Sequence, residues 1–308
     1  MPKVSVIMNC YNGERYLHEA IQSVYDQTFT DWEIVFWDDD SIDDSGKIAQ
    51  SYDYKLRYFK GEKALSLGQA RNRALEKTTG EYIAFLDQDD IWLPDKLKKQ
   101  VEILDNDIDV AMVYTNYYKL KQNGKRYPGY RKMQPEGHIF ESLLYYYALC
   151  ISTVMVRKDA FLGLESLFDE TMNLAEETDV FMRILFRAKA SYISQPLSLY
   201  RIHSTMNSIK YIDKYPEEYS HMVDKFKKLD PNFTDLYRDA LKYYEAKMGY
   251  WRARAAIAKN SSGNARKALS PYKWTDYRFF ILYLSTYISP RVWRIIHDLK
   301  DRMVYGGG

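Results

Sequence analysis

Cysteine is nearly missing from this sequence: among 308 residues there are two, Cys10 and Cys150. Their spacing matches no metal site, and so sparse a pair points to a reducing compartment. Long hydrophobic runs are missing as well. The longest apolar block near the C-terminus, Phe279-Phe280-Ile281-Leu282-Tyr283-Leu284-Ser285-Thr286-Tyr287-Ile288, falls short of the about 20 residues that span a bilayer. The chain enters a strand-like segment from its first residues, and no signal peptide is expected. There is no internal repeat, and no nucleic-acid motif accompanies the basic residues.

What is present is an apolar content of 46%, ample for a core in one large or two modest domains. The net charge of +2 is unevenly spread. Residues 1–209 hold 25 Lys and Arg against 31 Asp and Glu, a net of −6; residues 210–308 hold 19 against 11, a net of +8. An acidic region 1–209 followed by a basic, Tyr-rich region 210–308 implies two domains with different partners.

Periodicity divides the first region into alternating elements. Strands are expected at 3–8, 33–37, 56–59, 82–86 and 110–115. Between them, Leu17, Ala20, Ile21 and Val24 recur at helical spacing, as do Leu67, Ala70, Ala74 and Leu75, the latter closed by Gly80 as a C′ residue. A polar helix is expected over 43–52, and another over 95–104 with Pro94 in its opening turn. This alternation implies an α/β fold with an open, largely parallel sheet. From 117 to 150 the pattern is irregular, with a hairpin turn at Lys121-Gln122-Asn123-Gly124-Lys125. Strand character returns at 152–157 and 198–203, around an amphipathic helix carrying Val180, Phe181, Ile184, Leu185 and Ala188. Beyond 210 the chain reads as helical, with breaks at Pro231, Ser261-Ser262-Gly263 and Ser289-Pro290.

In an open α/β sheet, ligands bind beyond the carboxyl ends of the strands. Three polar clusters stand at such ends: Asn9-Cys10-Tyr11-Asn12-Gly13, Asp38-Asp39-Asp40-Ser41 and Asp87-Gln88-Asp89-Asp90. In the last, alternation along an extended chain lets Asp87 and Asp89 aim at one point. Crowded carboxylates repel unless a positive charge stands between them. A hard divalent cation with oxygen ligands is the natural guest, and it commonly brings a phosphate.

These motifs, with Val4-Ser5-Val6-Ile7-Met8, Gln27-Thr28-Phe29 and Gly80-Glu81-Tyr82 at their intervals, resemble family 2 glycosyltransferases over about residues 1–205. The resemblance implies a GT-A fold, Rossmann-like with helices on both sheet faces, followed here by a C-terminal helical extension. It implies inverting, metal-dependent transfer from a nucleoside-diphosphate sugar (UDP, GDP or TDP linked) to a hydroxyl of a glycan, lipid-linked or protein-linked acceptor. By the family pattern Asp89 binds Mg²⁺ or Mn²⁺, and Asp87 lies nearer the ribose or the second metal shell. Asp39 contacts the base and Tyr11 stacks on it, with Asn9, Asn12 and Gln88 in the same donor-binding clusters. Arg71 and Asn72 match a segment over the nucleotide, where Arg71 offsets diphosphate charge. Arg201 and His203 share one face of a short strand; the arginine suits phosphate and the histidine the metal.

The base that deprotonates the acceptor belongs, by the same pattern, to Ala175-Glu176-Glu177-Thr178-Asp179 at a helix start. Glu177 takes the place of the family's aspartate, Glu176 is the alternative, and Asp179 orients the acceptor. A nucleotidyltransferase is the rival enzyme, but its glycine-rich basic loop after the first strand is poorly matched by Asn9-Cys10-Tyr11-Asn12-Gly13-Glu14-Arg15. A non-catalytic nucleotide-sugar-binding or scaffold protein is the rival from another class. The tail interleaves Trp274, Tyr277, Phe279, Phe280, Tyr283 and Trp293 with Lys273, Arg278, Arg291 and Arg294. That mix suits packing on the catalytic domain or contact with an anionic membrane. The expected location is the cytoplasm, with the inner face of the cell membrane as the place of any such contact.

Overall fold

The structure, a computed structural model, describes residues 1–203 and 214–294; the expected domain boundary at 209/210 lies outside them. The chain forms two compact units, residues 1–140 with 148–203, and residues 141–147 with 204–308.

In the first unit, apolar runs become strands β1 (Val4–Cys10), β2 (Trp32–Asp38), β3 (Leu56–Lys60) and β4 (Tyr82–Phe85). Between them lie helices α1 (Glu14–Tyr25), α2 (Ser45–Gln50) and α3 (Leu67–Glu76). The four strands pair in parallel in the order β3-β2-β1-β4. β1 is buried along nearly its whole length, as expected of a parallel strand covered on both faces. Val4, Val6, Met8 and Cys10 join Leu17, Ala20, Ile21 and Val24 of α1 in the main core. Each larger aliphatic side chain buried there contributes roughly 1.5–3 kcal/mol of transfer free energy.

The chain continues through β5 (Ile91–Trp92), α4 (Lys96–Asn106), β6 (Val110–Lys121) and β7 (Arg126–Pro128). Then come α5 (Phe140–Tyr145), β8 (Met155–Arg157), α6 (Asp159–Leu162), α7 (Glu176–Leu185) and β9 (Lys189–Ile202). The full sheet order is β3-β2-β1-β4-β8-β6-β9-β5, with β7 on β6. β8 is antiparallel to both β4 and β6, and β9 is parallel to β6. Hence β3, β2, β1, β4, β6 and β9 point one way, and their carboxyl ends share one edge.

Several elements depart from the periodicity. β6 runs on to Lys121 and β9 starts at Lys189, because the two pair over most of their length even where their residues are polar. Residues 151–153 are a turn of 3-10 helix, so the strand expected from 152 is cut to β8. The hairpin turn is present: Gly124 has φ +79° and donates its N–H to the Lys121 carbonyl at 2.9 Å. Gly80 is not a left-handed helix cap, since α3 ends at Glu76 with Lys77 as its C-cap. Gly80 is required for a close approach instead: a Cβ there would meet the Ser5 backbone nitrogen at 2.6 Å. Gly80→Ala is therefore expected to cost about 1–3 kcal/mol, read by urea denaturation.

The second unit contains α8 (Tyr215–Leu229), α9 (Phe233–Leu236), α10 (Arg238–Ala258), α11 (Ser262–Leu269) and α12 (Tyr277–Ser285). The helices break near the three positions where proline or Ser-Gly interrupts the sequence. Ala246, Ala253 and Ile257 of α10 pack with Ala265, Leu269, Phe279 and Trp293. Lys247 of α10 donates to the Leu144 and Tyr145 carbonyls at 3.0 and 2.9 Å, which ties α5 to this unit. Among the described residues no helix is long and apolar enough to cross a membrane.

Candidate active site

The carboxyl edge of the sheet gathers most of the polar residues singled out in the sequence. After β1 the backbone turns at Asn12, whose φ of +51° falls in the region asparagine tolerates. The Asn12 side-chain oxygen accepts from Ile42 N at 3.0 Å, and its own N–H donates to Ser41 Oγ at 3.0 Å. These bonds lace the loop after β1 to the loop after β2. Tyr11 remains half exposed, with 52% of its surface open.

Asp38 is buried and accepts from Tyr58 OH at 2.6 Å and Ser41 N at 2.8 Å. Asp39 is also buried; its Oδ2 accepts from Leu65 N at 2.9 Å. The Trp37 indole N–H lies close enough to the Asp39 carboxylate to favour the charged form, and Asn9 Nδ2 is buried with no acceptor among the described residues. Burial raises the Asp39 carboxyl above its ordinary range, against the pull of the Leu65 amide. Unmet polar atoms inside a cleft are costly unless a ligand supplies the partner.

The Asp87–Asp90 cluster divides its labour. Asp90 is buried, accepting from Ser152 Oγ at 2.6 Å and from Arg201 N at 2.9 Å. Burial, with Asp89 and Asp87 adding repulsion, holds its proton far more tightly than usual. Asp90 thus ties the loop to β9 and to the 3-10 turn. The Gln88 side-chain oxygen accepts from Tyr11 N at 3.0 Å, which joins the loops after β4 and β1. Asp89 projects Oδ2 to His203 Nε2 at 2.7 Å. Arg201 donates Nε to the Asp89 carbonyl at 2.8 Å and Nη2 to Glu19, with its guanidinium 4.3 Å from the Tyr16 ring centre. The shared face of Arg201 and His203 therefore converges on Asp89, because β9 runs in the same direction as β4.

A second cluster forms around Arg71 of α3. This buried guanidinium donates Nη1 to Glu176 Oε1, lies 3.5 Å from Glu177 Oε2, and reaches Asp87 Oδ1 at 3.4 Å through Nη2. Burial disfavours its charge, but Glu176, Asp87 and Glu177 together outweigh that and raise its proton affinity. Arg71, expected to offset diphosphate charge, is thus surrounded by three carboxylates of this chain. Burial also raises Asp87, which Asp89 reinforces and Arg71 opposes.

Glu177 is the one residue of α7 that is only half-buried, with 22% of its side chain exposed. Its carboxyl is pushed up to about 8 by burial in the recess, with Glu176 and Asp87 adding and Arg71 opposing. Asp179, expected to orient the acceptor, is turned inward and fully buried. It accepts from Arg183 Nε at 3.0 Å and Nη2 at 2.8 Å, while Arg183 also holds the Ser166 and Leu167 carbonyls. Asp179 thus braces the loop at Ser166 and Leu167 through Arg183. Asn72 turns to the 168–170 loop: its Nδ2 donates to the Phe168 carbonyl at 3.0 Å and to Glu170 Oε1 at 3.2 Å, and its Oδ1 accepts from Phe168 N at 2.9 Å.

Sequence reasoning missed Ser152. Besides Asp90, it engages Trp92 Nε1 and Ser198 Oγ through its carbonyl, at 2.7 and 3.1 Å. A serine within an apolar stretch carries no signal of this role. Leu65 escaped notice because its backbone N–H does the work.

Asp89 and His203 offer one oxygen and one nitrogen donor to a cation. Among the described residues no three His, Cys, Asp or Glu gather as a metal cluster. This donor set fits a divalent ion that completes its shell with substrate phosphate and water, the usual state of Mg²⁺. It does not fit a closed structural site.

The profile named Glycosyl transferase family 2 matches residues 5–168. An uncharacterized glycosyltransferase of Methanocaldococcus jannaschii, MJ1057, is 31% identical over 98% of this chain and 94% of its own length. Residues 1–349 of S. aureus TarS, solved in complex with UDP-GlcNAc, superpose with a TM-score of 0.70 at 21% identity, covering 91% of this chain and 83% of that one. The mannosyltransferase PcManGT from Pyrobaculum calidifontis, solved with GDP-Man and Mn²⁺, gives 0.61 at 17% identity, covering 94% and 86%. Those two structures speak for the GT-A fold. With more than half of the chain inside the family profile and a relative aligned along nearly all of it, the chain belongs to glycosyl transferase family 2 and is a glycosyltransferase.

Proposed function

We propose that this glycosyltransferase moves a sugar, with inversion and with the help of Mg²⁺ or Mn²⁺, from a nucleoside diphosphate sugar to a hydroxyl of a glycan, lipid-linked or protein-linked acceptor. The observation that carries the reading is Glu177. It is the only accessible residue of α7, its proton affinity lies near neutrality, and Arg71 links it to Asp87 on the donor side of the cleft. A base poised near the working pH is what deprotonation of a hydroxyl requires.

In this reading Asp39 Oδ1 accepts a base N–H, and the exposed Tyr11 ring stacks on the base. Asp89 and His203 would hold the divalent ion, which would supply positive charge to the leaving diphosphate. Arg201 fixes the Asp89 backbone, and Asp90 with Ser152 fixes the loop beneath it. Glu177 takes the acceptor proton as the hydroxyl oxygen bonds to the anomeric carbon. The anomeric carbon–oxygen bond to the diphosphate breaks, and the nucleoside diphosphate departs with the electron pair. Arg71 and Asn72 act by positioning: the first holds the acids, the second the 168–170 loop. The complexes of the two structural neighbours, UDP-GlcNAc in one and GDP-Man with Mn²⁺ in the other, support a donor of this chemistry.

Thermal unfolding with UDP, GDP, TDP and CDP, each with and without Mn²⁺, tests the reading. One nucleotide is expected to stabilise the protein by about 2.7 kcal/mol at a hundred times its Kd. Asp89→Ala should lose the Mn²⁺-dependent share of that gain and keep the rest. No stabilisation by any of the four would refute the donor assignment.

A further inference from the structure

The second unit carries a surface that sugar transfer does not explain. α12 turns Phe279 into its core and packs the half-buried Leu282 and Tyr283 against it. The opposite side shows Tyr277, Ile281 and Leu284, at helical spacing, with exposures of 73, 58 and 48%; Ile288, 39% exposed, follows in the bend beyond the helix end. Trp274 stands beside them, its ring stacked on Phe280 at 4.8 Å and 73% exposed. Scattered exposed apolar residues need no explanation, but a continuous stripe with aromatics at its end does.

The charge around the stripe says what covers it. Arg278 pairs with Asp276 at 2.8 Å. Lys273 lies 5.6 Å from the Trp274 ring centre, Arg291 follows Ile288 by three residues, and Arg294 donates to Asn260; none of the three pairs with a carboxylate among the described residues, so this part of the unit carries unneutralised positive charge. A second copy docking by this face about a two-fold axis would set these cations against themselves. An acidic lipid surface meets both needs, with apolar side chains entering the acyl boundary and the cations meeting the headgroups. Aromatic rings such as Trp274 and Tyr277 favour that depth.

We propose that the Tyr277–Ile281–Leu284 stripe, with the cations near it, is a peripheral docking surface for an anionic bilayer. The stripe lies in the surface plane, since nothing in this segment is long enough to cross. Docking would concentrate the enzyme wherever an acceptor is anchored in lipid.

Flotation of the full chain with phosphatidylcholine vesicles, with and without about a third phosphatidylglycerol, tests this. Binding to the anionic vesicles is expected, falling at least tenfold without phosphatidylglycerol and weakening as salt rises. The double variant Ile281→Glu, Leu284→Glu changes exposed positions only, so it should keep the wild-type melting temperature and nucleotide-induced shift while losing vesicle binding about tenfold or more. Equal binding to neutral and anionic vesicles, or none to either, would overturn the proposal. So would sedimentation showing a wild-type dimer that the double variant dissolves, because the face would then join two copies. Nucleotide binding is read separately and does not depend on the result.

Discussion

Glu177→Gln is expected to lower kcat by about 10²–10⁴-fold while the donor Kd stays unchanged. The amide keeps the shape and the neighbour Arg71 but cannot accept the proton. Stopped transfer with intact nucleotide-induced stabilisation is the expected pair of results. Glu176→Gln provides the contrast: Glu176 is buried and committed to Arg71, so its loss should act through position, with a smaller effect on turnover. Should Glu176→Gln be the dead variant and Glu177→Gln remain active, the base is Glu176. The pH dependence follows from the same carboxyl. A base works when deprotonated, so kcat/KM should rise with pH and level off near 8, where burial, reinforced by Glu176 and Asp87, has placed Glu177. The folded protein holds this proton more tightly than the unfolded chain. Its contribution to stability is therefore greatest below the ordinary value of 4.5 and is lost as pH rises through about 8. Glu177→Gln should flatten both profiles, a result that a purely structural role for another group would not produce.

Arg71→Met should cost roughly 3–5 kcal/mol of stability at neutral pH, measured by urea unfolding. Methionine keeps much of the volume and removes the cation between Asp87, Glu176 and Glu177, leaving three carboxyls to repel one another in a recess only partly open to solvent. Their proton affinities in the folded state would rise, so the folded protein would take up protons relative to the unfolded chain. The deficit should accordingly shrink as pH falls, and adding Glu176→Gln should recover part of it because the two changes share one interaction. A loss under about 1 kcal/mol, with a large rise in donor KM, would instead mean that Arg71 spends its charge on the diphosphate.

These two residues show where sequence reasoning stopped. Apolar periodicity located β1 to β4 and α1, because burial on one or both faces leaves a repeat in the sequence. The same logic failed at the start of β9, where Lys189, Ser191 and Gln195 mask a strand that pairing with β6 holds in place. It also failed for Gly80, whose purpose is a contact with Ser5 and not a local backbone turn. Within α7, spacing put Glu176, Glu177 and Asp179 together in the first turn but could not sort them. Burial does: Asp179 pairs with Arg183, Glu176 with Arg71, and Glu177 alone stays accessible.

By itself, the order of residues determined that acids and amides would stand at the ends of parallel strands, since strand direction and connection follow from hydrophobic pattern and turn chemistry. It determined also that a basic, aromatic segment would follow. Which charge neutralises which was decided only in three dimensions. Arg71, Asp87 and Glu176 are far apart in the chain and a few ångströms apart in the fold. Coulomb energy and desolvation depend on those distances and on burial, and neither is written in sequence separation. The tertiary structure therefore surrounds Arg71 with three carboxylates of this chain and leaves Glu177 alone accessible among the acids of α7.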